Sequence, residues 1–468
     1  MMPVLLWTDA LIFMLAAVVT GFIIYARGKP HLRTPWYRVF KGRIAAASVV
    51  VLLAFVVVGL LDSLHFRLQL ENNGNNETTH YAVDVLSVLD VILDPVRTQV
   101  EKTYSAPFAT RLFAKETIER EDGTQVRDYP RLQYGGRHLP ASGEGRGQDI
   151  LQRSLLALAE ALLAGAIILY MTALLLGRRS GRSSRRMLQL ILARETVLPW
   201  RTIVATATLL LLLVFLAVNL ASAYHVLGTD KVGQDVFYQT LKSIRTGLLI
   251  GTLTTLIMLP FAIFMGIVAG YARGWTDDVV QYIYTTLNSI PGVLLIAASI
   301  LMLQVYIANH PEYFETTVER ADIRLLFLCI ILGITSWTGL CRLLRGEALK
   351  LREAEYIQAA VSFGVAHGKI ITRHILPNVM HVVLITVVLD FSGLVLAEAV
   401  LSYVGVGVDP TMNSWGNMIN SARLEMAREP VVWWSLLSAF LFMFVLVLAA
   451  NLFSDAVRDA FDPRTRER

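Results

Sequence analysis

Residues 345–378 read RGEALKLREAEYIQAAVSFGVAHGKIITRHILPN, a polar stretch between two strongly apolar segments, and this is the most informative stretch of the chain. Small and aromatic side chains recur within it at the i, i+3, i+4, i+7 spacing of one helical face. That face comprises Tyr356, Ala359, Ala360 and Phe363, whereas Glu355, Gln358 and Ser362 point elsewhere. Gly364 suits a left-handed turn after this helix, and Pro377 suits the first turn of the next one. The pattern predicts a helix–turn–helix element that docks on another protein.

The composition places this element in a membrane protein. Of 468 residues, 55% are hydrophobic and 17% are charged, and the mean hydropathy is +0.54. A soluble globular fold would leave too much of that apolar surface uncovered. The net charge of +5 does not indicate nucleic-acid binding, because the basic residues collect in short loops between apolar runs. Cys329 and Cys341 would lie roughly 18 Å apart on one helix, which is too far for a disulfide.

Nine apolar runs are close to the roughly 20 residues that a helix needs to cross a bilayer. They are residues 5–26, 44–61, 155–176, 203–223, 246–271, 291–307, 325–344, 379–404 and 431–453. Arginine and lysine concentrate between the first and second runs and between the third and fourth, so both of these loops are expected in the cytoplasm. The predicted topology has an external N-terminus and a cytoplasmic C-terminus, and it places residues 345–378 in the cytoplasm.

The docking element resembles a known family motif. Gln358, Ala359 and Ala360, followed at the family's spacing by Gly364 and by the run from His374 to Pro377, resemble the EAA loop of permease subunits of bacterial ATP-binding-cassette importers. This resemblance implies that the loop contacts a partner ATPase. Gln358 replaces the usual glutamate and His374 the usual isoleucine, which weakens any role for a carboxylate at position 358 in that contact.

Further segments resemble the dipeptide and oligopeptide branch of the same family. Residues 227–235 are similar to its LGTDxxGRD stretch, and residues 398–407, 414–418 and 455–463 are similar to later segments. The matching positions of the first segment are Gly228, Thr229, Asp230, Gly233 and Asp235, with Gln234 in place of arginine. Thr229 and Asp230 are expected to cap a short helix, and Gly233 to permit a bend. A cation site at Asp230 and Asp235 is a weaker alternative, because calcium needs a denser set of oxygens.

The resemblance covers the chain from about residue 202 onward and suggests four regions. Residues 1–61 hold two additional helices, residues 62–153 an extracytoplasmic insertion, residues 154–200 a further helix and basic loop, and residues 201–468 the permease core with its coupling loop at 345–378. Apolar periodicity within the insertion predicts an amphipathic helix at residues 81–100. The glycosylation sequon at Asn76 is expected to be meaningless in a bacterial protein.

No sequence motif argues for an enzyme. Residues 364–370 superficially resemble a phosphate loop, but only three residues separate the glycines and Ile370 stands where a magnesium ligand is needed. The histidines form no HExxH array and the cysteines form no CxxC pair. The resemblance implies that ATP and magnesium belong to two partner ATPase chains, that this chain binds no cofactor or metal, and that its other partners are a homologous permease, an extracytoplasmic solute-binding protein and membrane lipid.

Two acidic residues in one predicted span are candidates for the translocation path. Asp390 and Glu398 lie eight residues apart, or roughly 80° around a helix, so both side chains can face one protein interior or aqueous path. Either carboxylate could contact a peptide amine or an arginine of a partner subunit. An interhelical ion pair, or a boundary carboxylate near the external loop, is the competing interpretation and is favoured for Glu398.

The sequence therefore predicts an all-α polytopic membrane protein with the type I importer fold, located in the bacterial inner membrane. The resemblance implies a permease subunit for dipeptides and oligopeptides, with nickel or oligosaccharide as alternative substrates. A proton-coupled secondary transporter would need no ATPase-docking loop, and only Asp390 and Glu398 favour it. A membrane scaffold without transport activity is the third alternative.

Overall fold

The computed structural model describes residues 2–69, 81–119, 125–140, 143–314 and 316–461, and helices dominate these ranges. In the first half of the chain the helices are α1 (Trp7–Arg27), α2 (Pro30–Lys41), α3 (Arg43–Asp62), α4 (Val88–Ile92), α5 (Asp94–Arg97), α6 (Arg146–Ser180), α7 (Ser184–Leu192) and α8 (Trp200–Ala221). The strands are β1 (Met2–Val4), β2 (His65–Gln69), β3 (Tyr81–Ser87), β4 (Glu116–Glu119) and β5 (Gln125–Asp128).

The second half of the chain is helical apart from its connections. Its helices are α9 (Val236–Ala272), α10 (Trp275–Ser289), α11 (Gly292–Asn309), α12 (Thr317–Ser336), α13 (Thr338–Arg352), α14 (Glu355–Ser362), α15 (His367–Ile370), α16 (Leu376–Tyr403), α17 (Trp415–Glu425) and α18 (Trp434–Phe461). A 3₁₀ turn spans Pro311–Tyr313, and a π-helical turn spans Ile371–Ile375. Within the described ranges, nine helical segments are long and apolar enough to cross a membrane, which confirms the predicted polytopic helical fold.

The chain divides into two compact units. The first comprises residues 1–4, 37–246 and 413–449, and the second comprises residues 5–36, 247–412 and 450–468. In the first unit, α6 and α8 pack along small residues of α6, including Ala157, Ala161 and Gly165. A Cβ at Gly165 would lie 2.5 Å from Thr208 Oγ1, so this close approach requires glycine. Asn219 Nδ2 on α8 donates a 2.8 Å hydrogen bond to Glu160 on α6.

The insertion in the first unit differs from the expected amphipathic helix at residues 81–100. Residues 81–87 form β3 instead, which pairs antiparallel with β2, and β2 also pairs with β1. Valines at alternate positions, Val83 and Val85, favour a strand, and the pairing with β2 satisfies the backbone groups that a helix would have satisfied internally. Together with the β4–β5 hairpin, these strands are an addition to the all-α architecture. The sequon at Asn76 lies outside the described residues.

The second unit contains the packed helices around α9, α12, α13 and α16. Glycines on α9 bring it close to α13: a Cβ at Gly266 would lie 2.8 Å from the carbonyl oxygen of Cys341, and one at Gly270 would lie 2.5 Å from that of Arg345. Cys329 and Cys341 are buried and free, as expected. Helix α1 belongs to this unit, where the Thr8 hydroxyl donates a hydrogen bond to the buried carboxylate of Asp322 on α12.

Candidate functional site

Helix α14 is held by one buried side chain and exposes the remainder of its outer face. Ile357 is fully buried in a hydrophobic cluster of the second unit that also contains Leu344, Ile375 and Val379. Tyr356, which directly precedes Ile357, is 47% exposed. Phe363, which directly follows the helix, is 87% exposed. An apolar surface of this kind, on an element anchored from beneath, is typical of a protein-docking site. We call residues 353–371 the coupling segment.

The turn after α14 has the geometry that the sequence predicts. Gly364 has a φ of 74°, and the amide of Val365 donates a 3.1 Å hydrogen bond to the carbonyl oxygen of Ala360. No heavy atom outside its chain neighbours would lie within 4 Å of a Cβ at Gly364, so the requirement for glycine there is conformational. This turn redirects the chain from α14 into α15.

Polar contacts fix the base of the coupling segment. Arg345 forms a bidentate ion pair with Asp277, with N–O distances of 2.5 and 2.7 Å. The hydrogen bonds from Arg345 lower the pKa of Asp277 below its ordinary value. Nη1 of Arg352 donates to the carbonyl oxygen of Tyr271 over 2.9 Å. These contacts tie α13 to α9 and α10, so α14 starts from a rigid base.

A pocket of about 800 Å³ opens beside α14. Residues Tyr271, Ala272, Arg273, Arg352, Glu353, Gln358, Val361, Ser362, His367 and Ile371 line it. The hydroxyl of Tyr271 lies 2.7 Å from Nδ1 of His367, and Arg273 forms a 2.6 Å ion pair with Glu353. Its mixture of charged, polar and apolar groups suits a protein side chain or helix end better than a purely apolar ligand.

The structure assigns the predicted docking residues to two sides of α14. Tyr356, Ala359 and Phe363 are exposed together, but Ala360 is half-buried and packs against the hydrophobic cluster. Ala360 lies towards the inner edge of the predicted face, because the neighbouring Ile357 is buried in the hydrophobic cluster. Glu355 is exposed in the first turn of α14. Gln358 is also exposed, and its side-chain amide donates to the carbonyl oxygen of Glu353 over 3.3 Å.

Pro377 lies in the first turn of α16, as predicted, but helical backbone begins already at His367. The predicted start of this span at residue 379 is therefore too late. Proline lacks an N–H and would leave a carbonyl of the preceding turn without its regular partner. The π-helical turn Ile371–Ile375 precedes Pro377 and widens the helix at this point. The coupling segment is thereby joined to α16 without a break in the helical backbone.

The 225–235 loop, which contains the LGTD-like residues, lies in the first unit and is covered by the insertion. Thr229 does not cap a helix as expected: its hydroxyl accepts from the Ser105 amide over 2.6 Å and donates to the carbonyl oxygen of Thr103 over 2.8 Å. The amide of Val236 donates a hydrogen bond to the carbonyl oxygen of Gly228. A Cβ at Gly233 would lie 1.8 Å from the carbonyl oxygen of Glu101, so only glycine fits there.

Asp235, and not Thr229 or Asp230, caps the N-terminus of α9. Its carboxylate accepts from the amide of Phe237 over 2.8 Å. Asp230 accepts from two amides of its own turn, those of Val232 and Gln234. The two carboxylates are thus engaged in separate backbone contacts. Among the residues that the structure describes, no group of three or more histidine, cysteine, aspartate and glutamate side chains could hold a metal ion.

A buried charged triad joins the insertion to this loop. His225 contacts Asp235 at 2.7 Å and Glu101 at 3.4 Å, and Glu101 also accepts from the amides of Gln133, Tyr134 and Gly135. Burial lowers the pKa of His225, but hydrogen bonds to Asp235 and Glu101 raise it to about 9 overall. Burial raises the pKa of Glu101, but the hydrogen bonds that it accepts lower it to about 2. His225 and Glu101 are therefore both charged at neutral pH.

A second buried ionic cluster was not apparent from the sequence. Lys242 on α9 contacts Asp62 at 2.6 Å and Asp90 at 3.0 Å, and Tyr238 donates to Asp90 over 2.7 Å. Burial raises the pKa of Asp90, but the charge of Lys242 lowers it overall. A lysine near the start of an apolar span was the available signal, but its partners come from distant parts of the chain. This cluster fixes α3 and α4 to the start of α9.

Asp390 and Glu398 have different environments on α16. Glu398 is buried and accepts a 2.7 Å hydrogen bond from the Ser402 hydroxyl. Asp390 is half-buried and forms no hydrogen bond or ion pair with another described residue. The two carboxylates do not contact each other, because eight residues of helix separate them by roughly 12 Å. Of these two carboxylates, Asp390 is therefore the one without a hydrogen bond or ion pair to another described residue.

Comparison with known proteins assigns the fold and the coupling segment to a family. The family model described as "Binding-protein-dependent transport system inner membrane component" matches residues 262–467. The oligopeptide transport system permease protein OppC of Haemophilus influenzae is 32% identical over 243 residues, covering 52% of this chain and 71% of the relative. The glutathione transport system permease protein GsiD of Pectobacterium atrosepticum is 31% identical over 245 residues, covering 52% and 74%. The dipeptide transport system permease protein DppC of Bacillus subtilis is 29% identical over 245 residues, covering 52% and 70%.

The membrane-crossing helices and the exposed helical segment between α13 and α16 define a polytopic permease subunit of an ATP-binding-cassette importer. The chain belongs to the family of binding-protein-dependent transport system inner membrane components. Members of this family are non-catalytic membrane subunits that work with ATPase and substrate-binding partners. The family model begins at residue 262, so the insertion and the helices before it lie outside the match.

Proposed function

We propose that this chain forms half of the membrane path of an importer for dipeptides and oligopeptides. The names of the relatives support this substrate class, because they are transport permeases for oligopeptides, dipeptides and glutathione, which is itself a short peptide. The proposed complex contains a homologous permease subunit, two ATPase subunits that bind ATP and magnesium, and an extracytoplasmic solute-binding protein. We propose that this chain itself binds no cofactor.

The observation that carries this proposal is the anchored but exposed state of α14. Ile357 fixes the helix to the hydrophobic cluster of the second unit, while Tyr356, Ala359 and Phe363 remain uncovered. Uncovered aromatic groups on a rigid element are the usual anchors of a protein interface. We therefore assign these three residues, with Glu355, Gln358 and Gly364, to the contact with an ATPase subunit.

The packing beneath α14 suggests how ATPase motion reaches the path. Ile357 shares its hydrophobic cluster with Ile375 and Val379, which belong to the helical backbone leading into α16. A rigid displacement of α14 would therefore move the lower part of α16, because close-packed interiors transmit displacement instead of absorbing it. We propose that closure of the ATPase pair shifts α14 in this way and that alternating access follows.

Asp390 is the proposed contact for passing substrate. Its carboxylate has no partner among the described residues of this chain and lies on α16, which the coupling segment would move. A carboxylate in a membrane interior attracts the ammonium group of a peptide strongly, because the surroundings screen the charge poorly. Glu398 is assigned a structural role in this proposal, because it is buried and hydrogen-bonded to Ser402.

Uptake measurements test the proposed function. Phe363→Ala should lower uptake of a labelled tripeptide at least tenfold in cells that depend on this chain, because an anchor residue typically contributes 2 kcal/mol or more to an interface. Leu213→Ala is the matched control, since Leu213 is an exposed apolar side chain of α8 outside the coupling segment. Normal tripeptide uptake in a strain that lacks this chain would exclude the peptide substrate.

The proposed orientation has an external N-terminus and a cytoplasmic C-terminus. The arginine-rich loop after α6 is placed in the cytoplasm, and the insertion outside. Single cysteines at Val83, which is 80% exposed, and at Arg182 distinguish the two faces in a background without Cys329 and Cys341. An impermeant maleimide applied to intact spheroplasts should label only position 83. Labelling at position 182 would reverse the orientation.

A further inference from the structure

A basic surface at the end of α6 has no part in the proposed import mechanism. Residues 177–201 contain seven arginines and one acidic residue, Glu195. We call this segment the basic hairpin. Five of its arginines are exposed at the α6–α7 turn, namely Arg178, Arg179, Arg182, Arg185 and Arg186. The whole segment lies in the first unit of the structure.

The basic hairpin is expected at the level of the membrane surface, because it connects two of the membrane-crossing helices. Arg178 and Arg179 directly follow the apolar part of α6, which is one of the membrane-crossing helices. Trp200 begins α8, the next membrane-crossing helix, and tryptophan is enriched at the boundary between lipid and water. Both ends of the hairpin therefore emerge where phospholipid headgroups lie.

Helix α7 has a fixed position because it packs against α6. Met187 and Ile191 are buried against Ala173 of α6, in a small cluster that Trp200 joins. Nη1 of Arg201 donates a 3.0 Å hydrogen bond to the carbonyl oxygen of Leu192 at the end of α7. The exposed arginines of α7 consequently have a fixed position relative to α6 and α8.

The stability of α7 does not explain its arginines. Arg185 and Arg186 occupy its first turn, where the positive end of the helix dipole disfavours basic side chains, and that turn contains no acidic residue. Neither guanidinium group forms an ion pair or hydrogen bond with another described residue. On the same hairpin, Leu192 is 49% exposed and Val197 is 63% exposed. Unpartnered cations and exposed apolar side chains thus occur on the same hairpin.

We propose that the basic hairpin binds the phosphate headgroup of an anionic phospholipid. Arg185 and Arg186 would pair with the phosphate oxygens, and Leu192 and Val197 would contact the adjoining acyl chains. The apolar residues favour a lipid over an acidic protein, since they lie at membrane level beside a span. Orientation by positive charge alone would require arginines in this loop, but it would not require a helix packed at the headgroup level.

Lipid retention by the full chain, purified with its partner subunits, tests the proposal. The complex is reconstituted with equal amounts of phosphatidylglycerol and phosphatidylcholine and extracted in mild detergent, and the retained lipids are counted by native mass spectrometry. The unmodified complex should retain phosphatidylglycerol preferentially. Arg185→Gln combined with Arg186→Gln should lower the ratio of the two lipids about tenfold or more, because each basic residue near an anionic surface contributes roughly fivefold.

A matched pair of substitutions controls for net charge. Arg127→Gln with Arg137→Gln removes two exposed arginines from the insertion and should leave the lipid ratio unchanged. An unchanged ratio in the α7 pair, or an equal fall in both pairs, would overturn the proposal. Loss of ATPase subunits from the α7 variant at an unchanged ratio would instead assign the surface to a protein partner. If gel filtration shows that the α7 variant is aggregated, Arg178→Gln with Arg179→Gln provides the same test.

Discussion

The coupling segment and the 225–235 loop both resemble signature segments of the family, yet their surroundings are opposite. In the coupling segment, Phe363 and Tyr356 are 87% and 47% exposed. In the 225–235 loop, His225 and Asp235 are 2% and 3% exposed; they pair with each other, and the insertion supplies Glu101 as a second partner of His225. One segment exposes its aromatic side chains, whereas the other has its charged groups satisfied within the chain.

This contrast shows that a resemblance locates a segment but that its surroundings decide its role. The coupling segment has a buried anchor, Ile357, and two exposed aromatic side chains, Tyr356 and Phe363. The 225–235 loop has paired charges and close backbone contacts, such as Gly233 against Glu101. Substitutions should therefore affect transport in the first segment and folding stability in the second.

The largest effect is expected at the turn of the coupling segment. Gly364→Pro should abolish peptide uptake while the chain still inserts, because proline cannot adopt the φ of 74° found there. Ala360→Asp should have the same effect, since it places a charge against the hydrophobic cluster. Uptake and membrane abundance are measured for both variants.

Gly368→Ala is the matched control for this prediction. Gly368 lies in the same segment, has no positive φ, and would have no heavy atom within 4 Å of an added Cβ outside its chain neighbours and local helix backbone. Its uptake should remain near normal. Normal uptake by Gly364→Pro would show that the turn is not needed for coupling and would remove the distinction between the two segments.

The second effect is a loss of stability in the other segment. Glu101→Ala should destabilise the chain by about 3–5 kcal/mol, because it removes the acceptor of three amides and one of the two carboxylates that pair with His225. Glu116→Ala is the control, since Glu116 pairs with Lys102 at the surface and should cost less than about 1 kcal/mol. Unfolding of the solubilised chain measures both, and equal values would contradict the assignment.

The sequence predicted the membrane helices and the coupling segment because local patterns specify both. Apolar runs of sufficient length identified the spans, and the spacing around Gly364 identified the turn. The partners of Glu101 and Lys242 were not predictable, because they depend on contacts between residues far apart in the chain. The half-buried position of Ala360 was not predictable, because the inward position of Ile357 depends on a cluster contributed by several helices. The β3 strand was not predicted because it pairs with β2, and residues 70–80 separate the two strands in the chain.

The third effect is a dependence of stability on pH. The folded pKa of His225, about 9, exceeds its ordinary value of 6.5. The stabilisation from protonated His225 is therefore fully present below pH 6.5 and is lost as the pH rises through 9. His225→Gln should lower the unfolding temperature at pH 6.5, and its difference from the unmodified chain should narrow above pH 9. A constant difference between pH 6 and pH 10 would contradict the charged triad.

The stabilisation from ionised Glu101 has the opposite dependence on pH. Its folded value of about 2 is below its ordinary value of 4.5, so its stabilisation is present above pH 4.5 and is lost as the pH falls towards 2. Glu101→Gln should therefore differ most from the unmodified chain at neutral pH and least near pH 2. The unfolding temperature at pH 7 and pH 3 measures this change.

The smallest expected effect is a change in substrate selectivity that follows from substitutions on α16. Asp390→Asn should reduce uptake of cationic peptides severalfold relative to neutral ones without changing the ATPase rate, because the lost charge would act on the passing substrate. Glu398→Gln should instead reduce the yield of the complex for every substrate alike, since its carboxylate accepts from Ser402. Uniform loss of yield with unchanged selectivity for Asp390→Asn would remove Asp390 from the path.

The docking of the coupling segment on an ATPase subunit is tested most directly by cross-linking. A single cysteine at Phe363, in a chain without Cys329 and Cys341, is treated in membranes with a short bifunctional maleimide, and a single cysteine at Leu213 serves as the control. We expect cross-linking of position 363 to an ATPase subunit and none at position 213. Absence of any ATPase cross-link at position 363 in a complex that still transports peptide would contradict it.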